Sequence, residues 1–209
     1  MKKIVNGVTI IENEKNIPIN KVKLNEINTL ILPEGSYNLS SNESLRGWIE
    51  KGGNLIVLGT AASSFSSSEL DYFGIKRIEH QDTTIEKVRF GDIERTDISG
   101  VITGAVYKCD IDKTFPLTYG LDRYETLRQN ADIYSLTNGV NSVKLEKKAM
   151  PLNGFVGSEV KDKQGEALIA GVHTIGSGNV IYFIDNPLFR CFWERGKLIF
   201  SNAVYLVGN

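Results

Sequence analysis

Leu45-Arg46-Gly47-Trp48-Ile49-Glu50-Lys51-Gly52-Gly53-Asn54-Leu55-Ile56-Val57-Leu58-Gly59-Thr60 reads as an amphipathic helix, a two-glycine stop and an apolar strand that runs into small residues. Leu45, Trp48 and Ile49 fall at i, i+3 and i+4, one helical face. Ser40 with Glu43 three residues on is a capping-box signature for the helix start. Gly52 and Gly53 supply a left-handed C-terminal residue and release the chain. Leu55 to Leu58 shows no alternation, as expected of a central strand covered on both faces. Upstream, Thr29-Leu30-Ile31-Leu32 runs into Pro33-Glu34-Gly35-Ser36. Strand, loop, helix and strand make one βαβ unit, whose crossover should be right-handed.

The segment before this unit is weaker. Val8-Thr9-Ile10-Ile11 and Ile17-Pro18-Ile19-Asn20-Lys21-Val22 read as a short helix or strand and then an edge strand, where Pro18 is tolerated. A doubly wound domain opens on a strongly apolar strand. Here the first strand is either the weak Lys3-Ile4-Val5 or missing from the start of the chain. After the unit, Thr60 to Ser68 is a small-residue loop and Ser68 to Gly74 a short capped helix.

Residues 75–113 change character. Thr84 to Phe90 alternates with period two, and Val101 to Ile111 is β-prone, so a β-rich insertion on an α/β core is expected. From Ala131 the pattern is mostly strand: Asp132–Leu136, Ser142–Glu146, Glu166–Val172 and Val180–Ile184, the last two joined by a glycine-bearing hairpin at Ile175–Asn179. Asn186 and Pro187 suit the N-cap and first position of a closing helix with Leu188, Phe189, Phe192 and Trp193 on its apolar face. Gly196 is expected to end that helix before a second piece at Leu198–Leu206.

The totals exclude some functions. The 24 basic and 25 acidic residues nearly cancel, which argues against nucleic acid or an anionic membrane surface as the main partner. No apolar run approaches the roughly 20 residues that span a bilayer. Met1-Lys2-Lys3 looks like a signal-peptide start, but Asn6, Gly7 and Glu12 interrupt the apolar run that a signal peptide needs, so none is expected here. Compartment is left open. Cys109 and Cys191 lie far apart in sequence without metal spacing and are expected as buried free thiols, or as a disulfide only if they meet in space.

Phosphate-loop spacings are missing around Gly52-Gly53 and Gly59-Thr60-Ala61-Ala62. A nucleophile elbow would sit where Leu58 leaves the sheet, at about Thr60, yet no cysteine is near. His173 therefore has nothing to activate, and Cys191 occupies a packing position on the last helix. Only two histidines exist, and His80-Gln81-Asp82-Thr83 lacks the acid of a His-x-x-Glu zinc pair. Neither catalytic residues, nor a metal site, nor a cofactor are expected. Asp185, Asn186, Arg190, Glu194 and Arg195 form a polar cluster at the carboxyl end of a strand, where open α/β sheets hold ligands. One reading has Asp185 and Asn186 as caps while Arg190 and Arg195 pair with surface acids. The other makes Glu34, Thr60, Asp185, Asn186 and Arg190 the rim of a binding site for a small ligand.

Several blocks resemble the C-terminal class I glutamine amidotransferase-like domain of bacterial zinc carboxypeptidases. They are Asn28–Tyr37, Trp48–Ile56, Phe115-Pro116-Leu117-Thr118-Tyr119-Gly120-Leu121 and Asp185-Asn186-Pro187-Leu188-Phe189-Arg190-Cys191-Phe192-Trp193. The resemblance spans about residues 8 to 207, and the last block is its most specific part. The helix–Gly-Gly–strand block is shared with many amidotransferase-like domains, including trimerisation domains of some β-galactosidases. The resemblance implies an α/β, flavodoxin-like sandwich over residues 1–209 as a single domain. Its sheet is expected to be mostly parallel, with the insertion at 75–113 and antiparallel C-terminal strands. In that family a strand precedes the region matching Val8–Ile11, so the chain is expected to be truncated at its start. Related domains often carry His-Pro where this chain has Phe115-Pro116, which removes a ligand role from that turn. The implied function is a non-catalytic accessory domain, its triad lost, supporting the fold, assembly or substrate recognition of a larger, exported peptidase. The alternative is a sugar- or peptide-binding module using the rim.

Overall fold

The computed structural model describes residues 2–5, 8–11, 23–39, 43–78 and 93–207, with residues 2–5, 8–11, 68–69 and 94–96 described by backbone alone. The chain enters as a hairpin, β1 (Lys2–Val5) and β2 (Val8–Ile11), paired antiparallel. β2 then lies parallel to β3 (Thr29–Leu32), and β3 parallel to β4 (Asn54–Leu58). The weak Lys3-Ile4-Val5 stretch is thus a strand at the sheet edge, with β2 inside it. Ser40 and residues 79–92, which include the alternating Thr84–Phe90 run and His80, lie outside the described residues, as does Ile17–Val22.

The β3 and β4 strands are apolar throughout because both their faces are covered. Leu30, Leu32, Leu55 and Val57 enter one core, while Ile31, Ile56 and Leu58 enter the other. Helix α1 (Glu43–Glu50) seals the first core with Leu45 and Ile49. At eight residues it is too short to persist alone, so packing holds it. Its end is a Schellman arrangement. The Gly52 N–H donates to the Ile49 carbonyl at 2.8 Å, and the Gly53 N–H to that of Trp48 at 3.0 Å. Gly52 has φ +110°. Gly53 is needed for a different reason: a Cβ there would come within 2.3 Å of the Trp48 ring, whose indole N–H donates to the Ile27 carbonyl.

Past β4 the sheet changes sense. β12 (Gly178–Phe183) is parallel to β4, but its hairpin partner β11 (Leu168–Ile175) is antiparallel. β11 continues antiparallel to β9 (Val140–Leu145), and β9 to β6 (Ile102–Ile111). β6 also carries β10 (Pro151–Val156) and β7 (Tyr124–Arg128). The result is a ten-stranded sheet in the order β1-β2-β3-β4-β12-β11-β9-β6-β10, with β7 beside β6. Among the described residues only the β2–β3, β3–β4 and β4–β12 pairings are parallel. The expected mostly parallel sheet is therefore a mixed one. The sense changes at the tight β11–β12 hairpin, which can only join antiparallel strands. A two-stranded sheet of β5 (Ile75–Ile78) and β8 (Ile133–Leu136) stands apart.

The described parts of residues 75–113 go to different places. β5 joins the small sheet, α2 (Ile93–Ser99) comes after the undescribed stretch, and β6 is an interior strand of the large sheet. After α3 (Ser158–Lys161), the chain ends in α4 (Glu194–Tyr205), which places Ile199 and Ala203 in the second core. The closing helix expected from Pro187 does not form. A 3-10 turn over Phe189–Cys191 stands there, with left-handed backbone at Arg190 and Cys191. Gly196 does not break α4 but lies in its first turn. The Pro187 carbonyl comes so near that a Cβ would meet it at 1.9 Å. No described helix is long and apolar enough to cross a membrane.

Candidate functional site

β3, β4 and β12 end side by side, and their carboxyl ends carry Glu34, Gly59-Thr60 and Asp185-Asn186. Strand-to-turn geometry at β4 decides what the rim can do. The sharp left-handed residue that leaves the strand is Gly59, at φ +54°, one position before the expected Thr60. A nucleophile elbow needs a reactive side chain at such a position. Here there is no side chain at all, and the Glu34 carboxylate fills the space. A Cβ on Gly59 would lie 2.4 Å from Glu34 Oε1.

Glu34 is fixed by a neighbour across the rim. Asn186 Nδ2 donates to Glu34 Oε2 at 3.0 Å, and Asn186 Oδ1 accepts the Leu188 N–H at 2.9 Å. Asn186 therefore both caps the turn after β12 and orients an exposed carboxylate. Thr60 belongs to the loop scaffold. Its hydroxyl accepts the Gly35 N–H at 3.1 Å, just as Ser64 Oγ accepts the Tyr37 N–H at 2.9 Å. The two hydroxyls sew the loop after β3 to the turn after β4.

Asp185 lies beneath this rim, 6% exposed. Its Oδ2 accepts the Thr126 hydroxyl at 2.8 Å, and its Oδ1 stands 4.0 Å from Arg128 Nε. Burial pushes the Asp185 carboxyl above the usual carboxylate range. Arg128 and the Thr126 hydrogen bond act against that rise, and the Glu34 charge adds to it. Arg128 is completely buried; Nη2 donates to the Asp132 carbonyl, but Nε and Nη1 have no hydrogen-bond partner. The Tyr107 hydroxyl, also on this inner face of β6 and β7, has none either. Burial pushes Cys109 and Tyr124, from the same face, strongly upward, so both stay neutral.

Of the five residues expected at the rim, the structure joins Glu34 to Asn186 and sets Asp185 below them. Thr60 serves the loop. Arg190 is exposed and rests on the Phe189 ring, its guanidinium carbon 5.2 Å from the centroid, and pairs with no acid among the described residues. Arg195 does pair with acids, at 3.3 Å from Asp122 and 3.7 Å from Glu125. Cys109 is buried as expected, whereas Cys191 is exposed, because the turn that replaces the helix faces it outward. Sequence reading missed Gly59, Thr126 and Arg128. In Tyr124-Glu125-Thr126-Leu127-Arg128 the buried positions are 124, 126 and 128, so the strand's inner face is mainly polar and hides its period.

His173 is held between two backbone carbonyls, Nδ1 toward Asn138 and Nε2 toward Tyr72. It lines, with Phe115, Pro116 and Asn179, a cleft of about 390 Å³ at the opposite end of the sheet. A larger cleft of about 690 Å³ beside Trp48 and Gly53 also lies at that end. Neither combines convergent side-chain charge with the strand-end geometry of the rim. Among the described residues, no group of three or more His, Cys, Asp or Glu could hold a metal ion.

No family model matches the sequence, and no curated protein matches it. Solved structures do resemble the fold. A ThuA-like protein from Parabacteroides merdae superposes with a TM-score of 0.58 at 12% identity, over 95% of this chain and 76% of that one. One from Bacteroides uniformis gives 0.52 at 15%, over 91% and 72%. A cytoplasmic protein of Salmonella typhimurium gives 0.55 at 9%, over 88% and 73%. The fold is thus that of the ThuA-like proteins, a class I glutamine amidotransferase-like α/β fold.

Proposed function

We propose that this chain is a non-catalytic binding domain that uses the carboxyl-end rim of β3, β4 and β12 to recognise a small sugar or peptide. The observation that carries the reading is the Gly59–Glu34 contact. The elbow keeps its left-handed backbone, but the place of a nucleophile's side chain is taken by a carboxylate that Asn186 orients. An exposed, pre-oriented carboxylate is a recognition group, and the elbow residue itself, Gly59, has no side chain with which to begin the amidotransferase reaction.

Its test is a ligand screen by thermal unfolding, since a ligand that binds only the native state raises the midpoint. A rise with a saccharide or short peptide, lost in Glu34→Ala and Asn186→Ala, is expected. Glutaminase activity, or binding unaffected by both substitutions, would overturn the reading. In this proposal the domain acts in substrate recognition for a larger protein. The zinc carboxypeptidase parent rests on the resembling sequence blocks alone. An immunoblot of the source organism tests it: a native band far above 23.2 kDa supports a larger parent, and one at that mass removes it.

A further inference from the structure

We propose that the turn Phe189–Trp193 is the recognition platform of this rim and that its ligand is a pyranose sugar. The inference rests on the binding reading above. The turn is held in an unusual state. Two consecutive residues with side chains, Arg190 at φ +49° and Cys191 at φ +57°, adopt left-handed backbone. Such conformations are disfavoured for residues with a Cβ, and persist where the surroundings impose them, commonly at ligand sites.

What the turn achieves is presentation of a flat aromatic surface. Phe192 is 56% exposed and stacks on Trp193, with centroids 5.3 Å apart and planes 30° from parallel. Phe189 meets Phe192 edge-on at 6.2 Å and carries the Arg190 guanidinium. An exposed ring buttressed by a second ring is a rigid apolar face. The platform hangs directly from the rim: the Phe189 N–H donates to the Asn186 carbonyl at 3.3 Å, and the Asn186 amide holds Glu34.

A pyranose offers one face of C–H groups and an edge of hydroxyls. The stacked ring suits the first, and the carboxylate, amide and guanidinium suit the second, as acceptors and donors in fixed planes. Two competitors fit less well. An extended peptide adds to an open strand edge, but β3, β4 and β12, which form the rim, are each paired on both sides. A cationic ligand would meet the permanent charge of Arg190 on the same platform.

The experiment titrates the chain with a panel of methyl pyranosides, and with an N-acetylated tripeptide amide, by saturation-transfer NMR. Expected is binding of at least one pyranoside, weakened about tenfold in Phe192→Ala and retained in Phe192→Tyr. Phe192 is exposed, so an unchanged unfolding midpoint separates lost contact from lost fold. Pyranoside binding that Glu34→Ala abolishes and Phe192→Ala leaves intact would overturn the platform while keeping the rim reading. Binding of the tripeptide alone would overturn the sugar and keep the rim. Binding of nothing would overturn both.

Discussion

The two halves of the sheet bury their residues under different rules. In the parallel half, β3, β4 and β12 place apolar side chains on both faces, with polar exceptions near the strand starts at Thr29, Asn54 and Asn179. In the antiparallel wing, β6 and β7 turn one face onto the second core and bury Tyr107, Thr126 and Arg128 there. Among the described residues Arg128 is the largest fully buried side chain, and Asp185, which stands 4.0 Å from it, is contributed by the end of the parallel half. The first half stabilises itself wherever it is packed. The wing adds to its apolar core a buried long-range charge pair, and that pair sits directly under the rim.

The largest expected effect breaks that pair. Arg128→Met and Asp185→Ala should each destabilise the chain by about 3–5 kcal/mol, because each leaves a buried charge uncompensated. The double variant should lose clearly less than the sum, measured by urea unfolding as a double-mutant cycle. Leu55→Ala in the parallel half should cost about 2–5 kcal/mol as a cavity, and should add simply to either of them. Additivity between Arg128 and Asp185 would erase the distinction between the halves.

A pH series sharpens it. The Asp185 carboxyl is raised by burial, so the folded chain holds its proton at higher pH than the unfolded chain does. From the ordinary carboxylate range upward, stability should therefore fall as pH rises through the raised value, and then level off. Asp185→Asn should flatten that slope in unfolding free energies measured from about pH 4 to about pH 7. A wild-type slope unchanged by the substitution would remove Asp185 as its source.

Smaller effects separate the rim from the helix that packs behind it. Gly59→Ala should cost about 1–2 kcal/mol for its left-handed backbone, and should displace Glu34 enough to weaken any Glu34-dependent ligand. Gly47→Ala, mid-helix with nothing near its added Cβ, should stabilise by about 0.5–1 kcal/mol. Equal effects at the two glycines would mean that the elbow backbone is unstrained by a side chain. Last, native labelling with a thiol reagent should modify Cys191 and spare Cys109, read by mass spectrometry of the intact chain.

The chain's own order made the βαβ unit legible: Leu45, Trp48 and Ile49 at helical spacing, Gly52-Gly53 as the stop, and an unbroken apolar run after them. These are local rules, and the structure keeps each of them, down to the Schellman bonds and the indole packed on Gly53. The β11–β12 hairpin and the rim position of Glu34, Asp185 and Asn186 came from the same local reading. Sequence could not decide which strands meet or which groups lie opposite a given side chain. Asn186 and Pro187 look like a helix start, yet the chain makes a strained aromatic turn there, with the Pro187 carbonyl set against Gly196 in the first turn of α4. Nothing in the local sequence singles out Arg128, which is buried only because β6 and the end of β12 close over it. Periodicity and capping report energies set within a few residues, whereas strand order, buried charge and the rim are set by contacts across the chain. Only the folded tertiary structure supplies those.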